Sequence, residues 1–320
     1  MKIVATLLLA MALPLSALSQ GYPSAKPIRL IVPFAPGGNV DITARTLAPA
    51  LGELIGQTIV VENRAGAGGV LGADLVAKAP ADGYTLLMGS NSTLSVAPAL
   101  FPRNPYQPLR DFAPISLIAA TPFVLVAHPA VAARTLPELI ALAKSKPGGL
   151  TMASGGNGSS NHLVGELFQS VTGTKLLHVP YKGAGAVAGD LMGGQVDLLF
   201  DQLAASTANI KSGRIKAIAV TSSTRAGVLP EVPTMLESGV KEMDVINITG
   251  VLAPAGTSPE IIARLNAALQ KVLLRPEVKE RFAALGVSSL GGTPEEFSAF
   301  IREDLAKWTK VIKDGNIKAE

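Results

Sequence analysis

The chain has no cysteine. That excludes disulfides, thiolate metal sites, a cysteine nucleophile and a lipid-modified cysteine behind a leader peptide. Histidine is nearly as scarce. His128, His162 and His178 are the three, spread too widely for a His-rich metal motif. Aromatic residues make up 4% of the chain, so a core must be aliphatic, and the 48% hydrophobic content supplies one amply. Neither sign of charge dominates: 28 basic residues against 24 acidic ones leave +4, with no basic cluster. Scattered Lys and Arg of this kind form a solvated face rather than a nucleic-acid surface. Beyond the N-terminus no apolar run reaches membrane-spanning length.

Residues 1–19 read as a secretory leader. Lys2 gives a positive start, residues 3–15 are apolar apart from Thr6 and Pro14, and Ala17-Leu18-Ser19 places small residues where a signal peptidase needs them. A membrane anchor is the rival reading, but the run is too short and Pro14 interrupts it. The mature chain is therefore expected to be exported and soluble. At 320 residues, the length suggests about two domains.

The stretch Leu30-Ile31-Val32-Pro33-Phe34-Ala35-Pro36-Gly37-Gly38-Asn39-Val40-Asp41 organises the first half. Its apolar run reads as a buried strand. The prolines stop that strand, and Gly37-Gly38 frees the backbone for a turn. Val40, Thr43, Ala44, Leu47 and Leu51 then recur at helical spacing. A turn at the carboxyl end of a strand is where open α/β sheets bind ligands, and the helix N-terminus beyond it suits an anion. Gly38 is expected to need a positive φ or a close backbone approach. Two more strand-turn-helix units follow, one through residues 58–62 and one through 84–88, the latter ending in the polar loop Gly89-Ser90-Asn91-Ser92-Thr93. Three such units in succession predict a doubly wound, mostly parallel sheet.

The second half repeats the pattern. Thr135 and Glu138 form a capping box opening a helix. A strand near residues 150–153 leads into Ser154-Gly155-Gly156-Asn157-Gly158-Ser159, followed by a helix with Leu163, Leu167 and Val171 on one face. The strand at 196–200 carries Asp201 at its end, either facing a cleft or capping the next turn. Thr293-Pro294-Glu295-Glu296 is a further capping box before the last helix.

Two enzymatic patterns are imitated but broken. The glycines at 66, 68, 69 and 72 imitate a dinucleotide fingerprint, but the third glycine of that pattern belongs where Leu71 stands, and Glu62 precedes the glycines instead of following them. Ser159 and His162 share a helical face, as a nucleophile and base would, yet no G-x-S-x-G elbow surrounds the serine. Asp41 and Arg45, at i and i+4, read as a local ion pair.

Taken together the motifs resemble those of the substrate-binding receptors of tripartite tricarboxylate transporters, the Bug family. The matching pieces include Pro33-Phe34-Ala35-Pro36-Gly37-Gly38-Asn39-Val40-Asp41, Val61-Glu62-Asn63-Arg64-Ala65-Gly66, Ala79-Pro80-Ala81-Asp82-Gly83-Tyr84, Ser154-Gly155-Gly156-Asn157-Gly158-Ser159, His178-Val179-Pro180-Tyr181-Lys182-Gly183, Gly194-Gln195-Val196-Asp197 and Ala253-Pro254-Ala255-Gly256-Thr257, in the family's order. The resemblance implies an α/β, two-domain periplasmic binding protein of the Venus-flytrap, type II-like kind, each domain a mostly parallel sheet flanked by helices. Domain 1 is expected at residues 20–122 plus 246–320 and domain 2 at 123–245, with the ligand cleft between them. It further implies a monomeric receptor without catalysis, cofactor or metal, passing a small carboxylate to a two-component membrane permease. An enzyme, hydrolytic or nucleotide-dependent, is the alternative.

The expected ligand contacts are Phe34, Ala35, Gly37, Gly38, Asn39, Asp41, Ser90 and Asn91 from one domain and Ser154, Gly156, Asn157, Gly158, Ser159, His162 and Asp201 from the other. A carboxylate bridging two helix N-termini favours a di-acid over a mono-acid. Asp201 near the cleft makes an amino- or hydroxy-acid the second choice. The family often has an aromatic residue before the glycine of the returning strand. Here Asn247-Ile248-Thr249-Gly250 has Ile248 instead, and the one tryptophan is Trp308. N-terminal sequencing of exported protein should begin just after Ser19; a chain still starting at Met1 would contradict the leader reading.

Overall fold

The structure is a computed structural model that describes residues 21–183, 186–314 and 317. The leader, residues 1–19, lies outside the described residues, as does the end of the turn expected over residues 182–185. The chain runs β1 (Ile28–Val32), α1 (Asn39–Ile55), β2 (Ile59–Asn63), α2 (Val70–Ala77), β3 (Thr85–Ser90), α3 (Ala97–Leu100), α4 (Pro108–Asp111) and the long β4 (Phe112–Ala127). Then come α5 (Leu136–Ser145), β5 (Thr151–Ser154), α6 (Ser160–Thr172), β6 (Leu177–Pro180), α7 (Ala188–Met192), β7 (Leu198–Gln202), α8 (Leu203–Lys211) and β8 (Lys216–Val220). The chain ends with β9 (Ile246–Pro254), α9 (Pro259–Leu274), α10 (Pro276–Ala284), β10 (Ser288–Ser289) and α11 (Pro294–Asp314).

The main strand order is β2-β1-β3-β9-β4-β7-β5-β6, with β8 and β10 also paired to β4. The β2-β1-β3 and β6-β5-β7 groups are parallel, as the strand-turn-helix units predict. The sheet is nonetheless mixed. β9 is antiparallel to β3 and β4, and β4 is antiparallel to β7 and β8. The reason lies in the path of the chain: β4 leaves the first lobe as β9 re-enters it, and strands travelling side by side in opposite directions pair antiparallel. The two apolar runs either side of Thr121-Pro122 form one continuous strand. Its residues 112–122 pair with β9, and residues 123–127 pair with β7 and β8.

Both faces of the sheet are covered, which is why its strands are nearly all apolar. Leu30, Val32, Leu86 and Met88 pack with Ala44, Leu47 and Leu51 of α1 and Leu265 and Leu269 of α9. On the opposite face Ile31, Leu87 and Leu252 meet Val70 and Ala73 of α2 and Phe297 and Ile301 of α11. In the second lobe Phe123 and Leu125 point toward α5 and α6, while Val124 and Val126 point toward α7 and α8. Trp308, near the end of α11, lies in the same cluster as Phe123 and Phe168, together with Val96 and Leu100. The last helix thus starts on one lobe's core and finishes against the other's.

Local signals behave as expected. Thr135 caps α5 in a full capping box, Ser258 caps α9 ahead of Pro259, and Thr293 and Glu296 bond reciprocally at the start of α11. Gly250 on β9 shows how closely α11 is seated: a Cβ there would lie 2.9 Å from the Ser116 carbonyl oxygen and inside contact distance of the Phe297 ring. Gly250→Ala should therefore destabilise the protein by about 1–3 kcal/mol through overpacking. Chemical denaturation of the variant measures this, and wild-type stability would mean that α11 yields freely.

Candidate ligand site between the lobes

The first wall is the turn between β1 and α1. Gly37 has φ +84° and Gly38 is extended at φ −78°, ψ 167° as the N-cap of α1, without a side-chain cap. The residue that needs glycine's freedom is thus Gly37, a correction to the assignment of that role to Gly38. Asp41 braces the turn. Its carboxylate accepts from Gly37 N at 2.9 Å, Arg45 Nε at 3.0 Å and Asn63 Nδ2 at 2.9 Å, and Asn63 Nδ2 also donates to the Phe34 carbonyl. Burial opposes ionisation, but bonds from Arg45, Gly37 and Asn63 outweigh it and hold the Asp41 carboxyl below its ordinary pKa. Asp41 is buried and fully engaged, so it shapes the turn that presents Phe34, Ala35 and the α1 N-terminus.

The second wall is the turn between β5 and α6. Gly156 and Gly158 have φ +111° and +75°. Ser154 Oγ accepts from Gly156 N at 3.0 Å and bonds His178 Nε2 at 2.7 Å. His178 stacks on His162 with ring centroids 4.2 Å apart, and His162 Nδ1 accepts a long bond from Gly158 N. Burial, reinforced by His178, pushes the His162 pKa down to about 4, so the ring is neutral near pH 7. Ser159 Oγ accepts from His162 N as the N-cap of α6. Ser154, Ser159 and His162 therefore form the scaffold of the turn, and the Ser159–His162 pair carries no hydrolytic geometry.

Asn91 and Asp201 are also engaged. Asn91 Oδ1 accepts from Ile248 N at 2.5 Å and its Nδ2 donates to Asp304 of α11 at 2.8 Å. The side chain ties the returning strand to the last helix. Asp201 accepts from Ser206 Oγ at 2.6 Å and from Gln202 N at 2.9 Å, which ties the end of β7 to α8. Burial still pushes its pKa up to about 6. It shares with Gly37 the lining of a cavity of about 20 Å³, so it lies across from the first turn.

The lobes meet around these turns. Ser92 Oγ and Ser160 Oγ are 2.8 Å apart, and Ser160 N donates to Ser92 Oγ at 2.7 Å. A Cβ on Gly68 (φ +62°) would lie 2.5 Å from the Asn157 carbonyl oxygen, and one on Gly183 would lie 2.7 Å from Ala35 N. The glycines that imitate a nucleotide fingerprint thus have packing reasons: Gly68 lets the first lobe touch the second turn, while Gly66, Gly69 and Gly72 pack against Leu71, Phe34 and Pro33 of their own lobe. Asn39 and Ser90 are two of the expected contacts. Among the described residues Asn39 Nδ2 and Ser90 Oγ are buried without a hydrogen-bond partner, and so are both polar atoms of Asn247, which sequence reasoning passed over. The clue to Asn247 was a polar residue on a strand otherwise buried in both lobes.

Two α/β lobes joined by the β4–β9 ladder, with glycine turns facing each other at the seam, are the architecture of a two-domain binding protein. A solved structure of periplasmic binding protein BugD superposes with a TM-score of 0.90 at 36% identity, covering 93% of this chain and all of that one. Residues 43–317 match the family described as the tripartite tricarboxylate transporter family receptor, and the chain belongs to that family. Protein BugT of Bordetella pertussis is 42% identical over 308 residues, 96% of this chain and 94% of its own. Two ligand-bound structures are similar as well. MatC from Rhodopseudomonas palustris with bound malate gives a TM-score of 0.86 at 33% identity, over 90% of this chain and 99% of that one. R. palustris Rpa4515 with adipate gives 0.89 at 34%, over 93% and 99%.

Gly68→Ala should hold the lobes apart, because the added methyl meets backbone across the seam and cannot be rotated away. With saturating ligand the variant should keep a larger radius of gyration in solution scattering than wild type, and its affinity should fall by about tenfold or more. A variant that closes and binds like wild type would show that this contact is not made in the bound state.

Proposed function

We propose that the protein is a periplasmic receptor that captures a small carboxylate between its lobes and passes it to a two-component membrane permease of the tripartite tricarboxylate type. The observation that carries this reading is the pair of facing turns. Each follows the carboxyl end of a parallel strand, opens a helix and is braced by side chains: Asp41 and Asn63 on one side, Ser154, His178 and His162 on the other. A helix N-terminus offers backbone N–H groups and a positive dipole end to an anion. Two of them, one per lobe, suit two anionic ends. The similarity to MatC with malate and to Rpa4515 with adipate supports the same class of ligand.

In this reading residues 20–122 and 246–320 form one domain and residues 123–245 the other. Phe34, Ala35, Gly37, Gly38 and Asn39 contact the ligand from the first, while Gly156, Asn157 and Gly158 contact it from the second. Asp41, Ser154, Ser159 and His162 act by holding those backbones in place, so the protein binds without converting what it binds. No helix among the described residues is long and apolar enough to cross a membrane. Export therefore rests on residues 1–19.

The test is thermal melting of the mature protein against a panel of small mono-acids, di-acids, their amides and neutral analogues, followed by recovery of the bound molecule. A di-acid at about 100 times its dissociation constant should add roughly 2.7 kcal/mol of stability and be recovered unchanged. Equal stabilisation by amides would refute the anion argument, and a chemically altered ligand would refute the absence of catalysis.

A further inference from the structure

We infer that Asn39, Thr121 and Asn247 form a subsite that recognises a hydroxyl group on the ligand, so that the receptor selects hydroxy di-acids over plain ones; this rests on the reading of the protein as a carboxylate receptor. Thr121 on β4 and Asn247 on β9 are register neighbours at the point where both strands pass between the lobes. Asn39, the first residue of α1, reaches Thr121, whose Oγ1 donates to Asn39 Oδ1 at 3.2 Å. Ser90 lies on β3 opposite Thr249, one step along the same face of β9. All four residues are at most 2% exposed.

Asp41, Ser154 and His162, which brace the two turns, are hydrogen-bonded within the protein. Asn39 Nδ2, Ser90 Oγ and both Asn247 polar atoms have no partner among the described residues. A buried amide left unmatched costs stability, and folded proteins rarely keep one without a use for it. The chemistry of the missing partner follows from the atoms. Whichever way its amide is turned, Asn247 presents one acceptor and one donor, and Asn39 contributes a further donor. A carboxylate only accepts and would leave the Asn247 oxygen unmatched. An ammonium only donates and would leave the amide nitrogens unmatched. A hydroxyl does both. Position agrees with chemistry, because Asn39 directly follows Gly38. A ligand whose carboxylate rests on the Gly37-Gly38 turn brings its adjacent carbon toward Asn39 and Asn247.

The test uses three four-carbon di-acids that differ at one carbon: malate with a hydroxyl, succinate with none, and aspartate with an ammonium. Calorimetric titration of the wild-type protein should show malate bound about tenfold or more tightly than either of the others. In Asn247→Val the preference of malate over succinate should collapse toward unity. The melting temperature of the ligand-free variant should be unchanged or raised, since an apolar residue replaces an unpaired amide. If that variant misfolds, Asn39→Ala provides the same ratio at a helix end that tolerates alanine. Di-acids bound without a hydroxyl preference, or a preference that survives both substitutions, would overturn the inference alone. No binding of any acid would overturn the receptor reading beneath it.

Discussion

The relation between the two lobes is set by one ladder, the antiparallel pairing of β4 and β9 from Phe112–Pro254 to Pro122–Ile246. Each strand carries on from that ladder into the other lobe's neighbourhood. β4 pairs directly with β7 and β8, while the carbonyl of Val245, just before β9, accepts from Thr221 Oγ1 of the second lobe. Because the hydrogen bonds of the ladder are made within the crossing itself, the lobes can bend about it without exposing a sheet edge. The glycine turns lie on either side of this crossing. Their mutual distance therefore depends on how far the ladder flexes.

Several residues with the outward marks of chemistry are braces. Asp41, His162 and Asp201 are all buried and titratable, but each is satisfied by its own turn or helix. This distribution makes sense for binding through backbone groups. Peptide N–H donors have no side-chain freedom to aim them, so the turn that carries them must be fixed by neighbours. Asn91 applies the same principle at longer range, linking Ile248 of the returning strand to Asp304 of the last helix.

What could be read in the sequence was local. The strand-turn-helix units, the Thr135–Glu138 and Thr293–Glu296 boxes and the glycine turns are patterns within a few residues, and all appear close to where the sequence places them. The antiparallel strands could not be read in this way, since β3 meets β9 across about half the chain. The assignment of the positive φ to Gly38 rather than Gly37 failed because two adjacent glycines look alike until the helix start fixes which is the cap. Asn91 follows the end of β3, and beyond the ligand contact expected of it there it also braces the fold. Its partners, Ile248 and Asp304, are more than 150 residues away, and no spacing rule could connect them. Asn247 was overlooked for a related reason: its importance lies in bonds it does not make, and those become visible only once every neighbour is in place.

Trp308 is the only tryptophan in the chain, and its ring is buried among side chains from both lobes, Val96 and Leu100 on one side, Phe123 and Phe168 on the other. An indole in such a position acts as a natural optical gauge. Any change in the angle between the lobes alters its packing and solvent contact, and its emission should shift with opening and closing in the unlabelled protein. If ligand closes the lobes and the emission stays constant, the end of α11 travels as one body with the second lobe, and the sliding surface lies nearer Phe297.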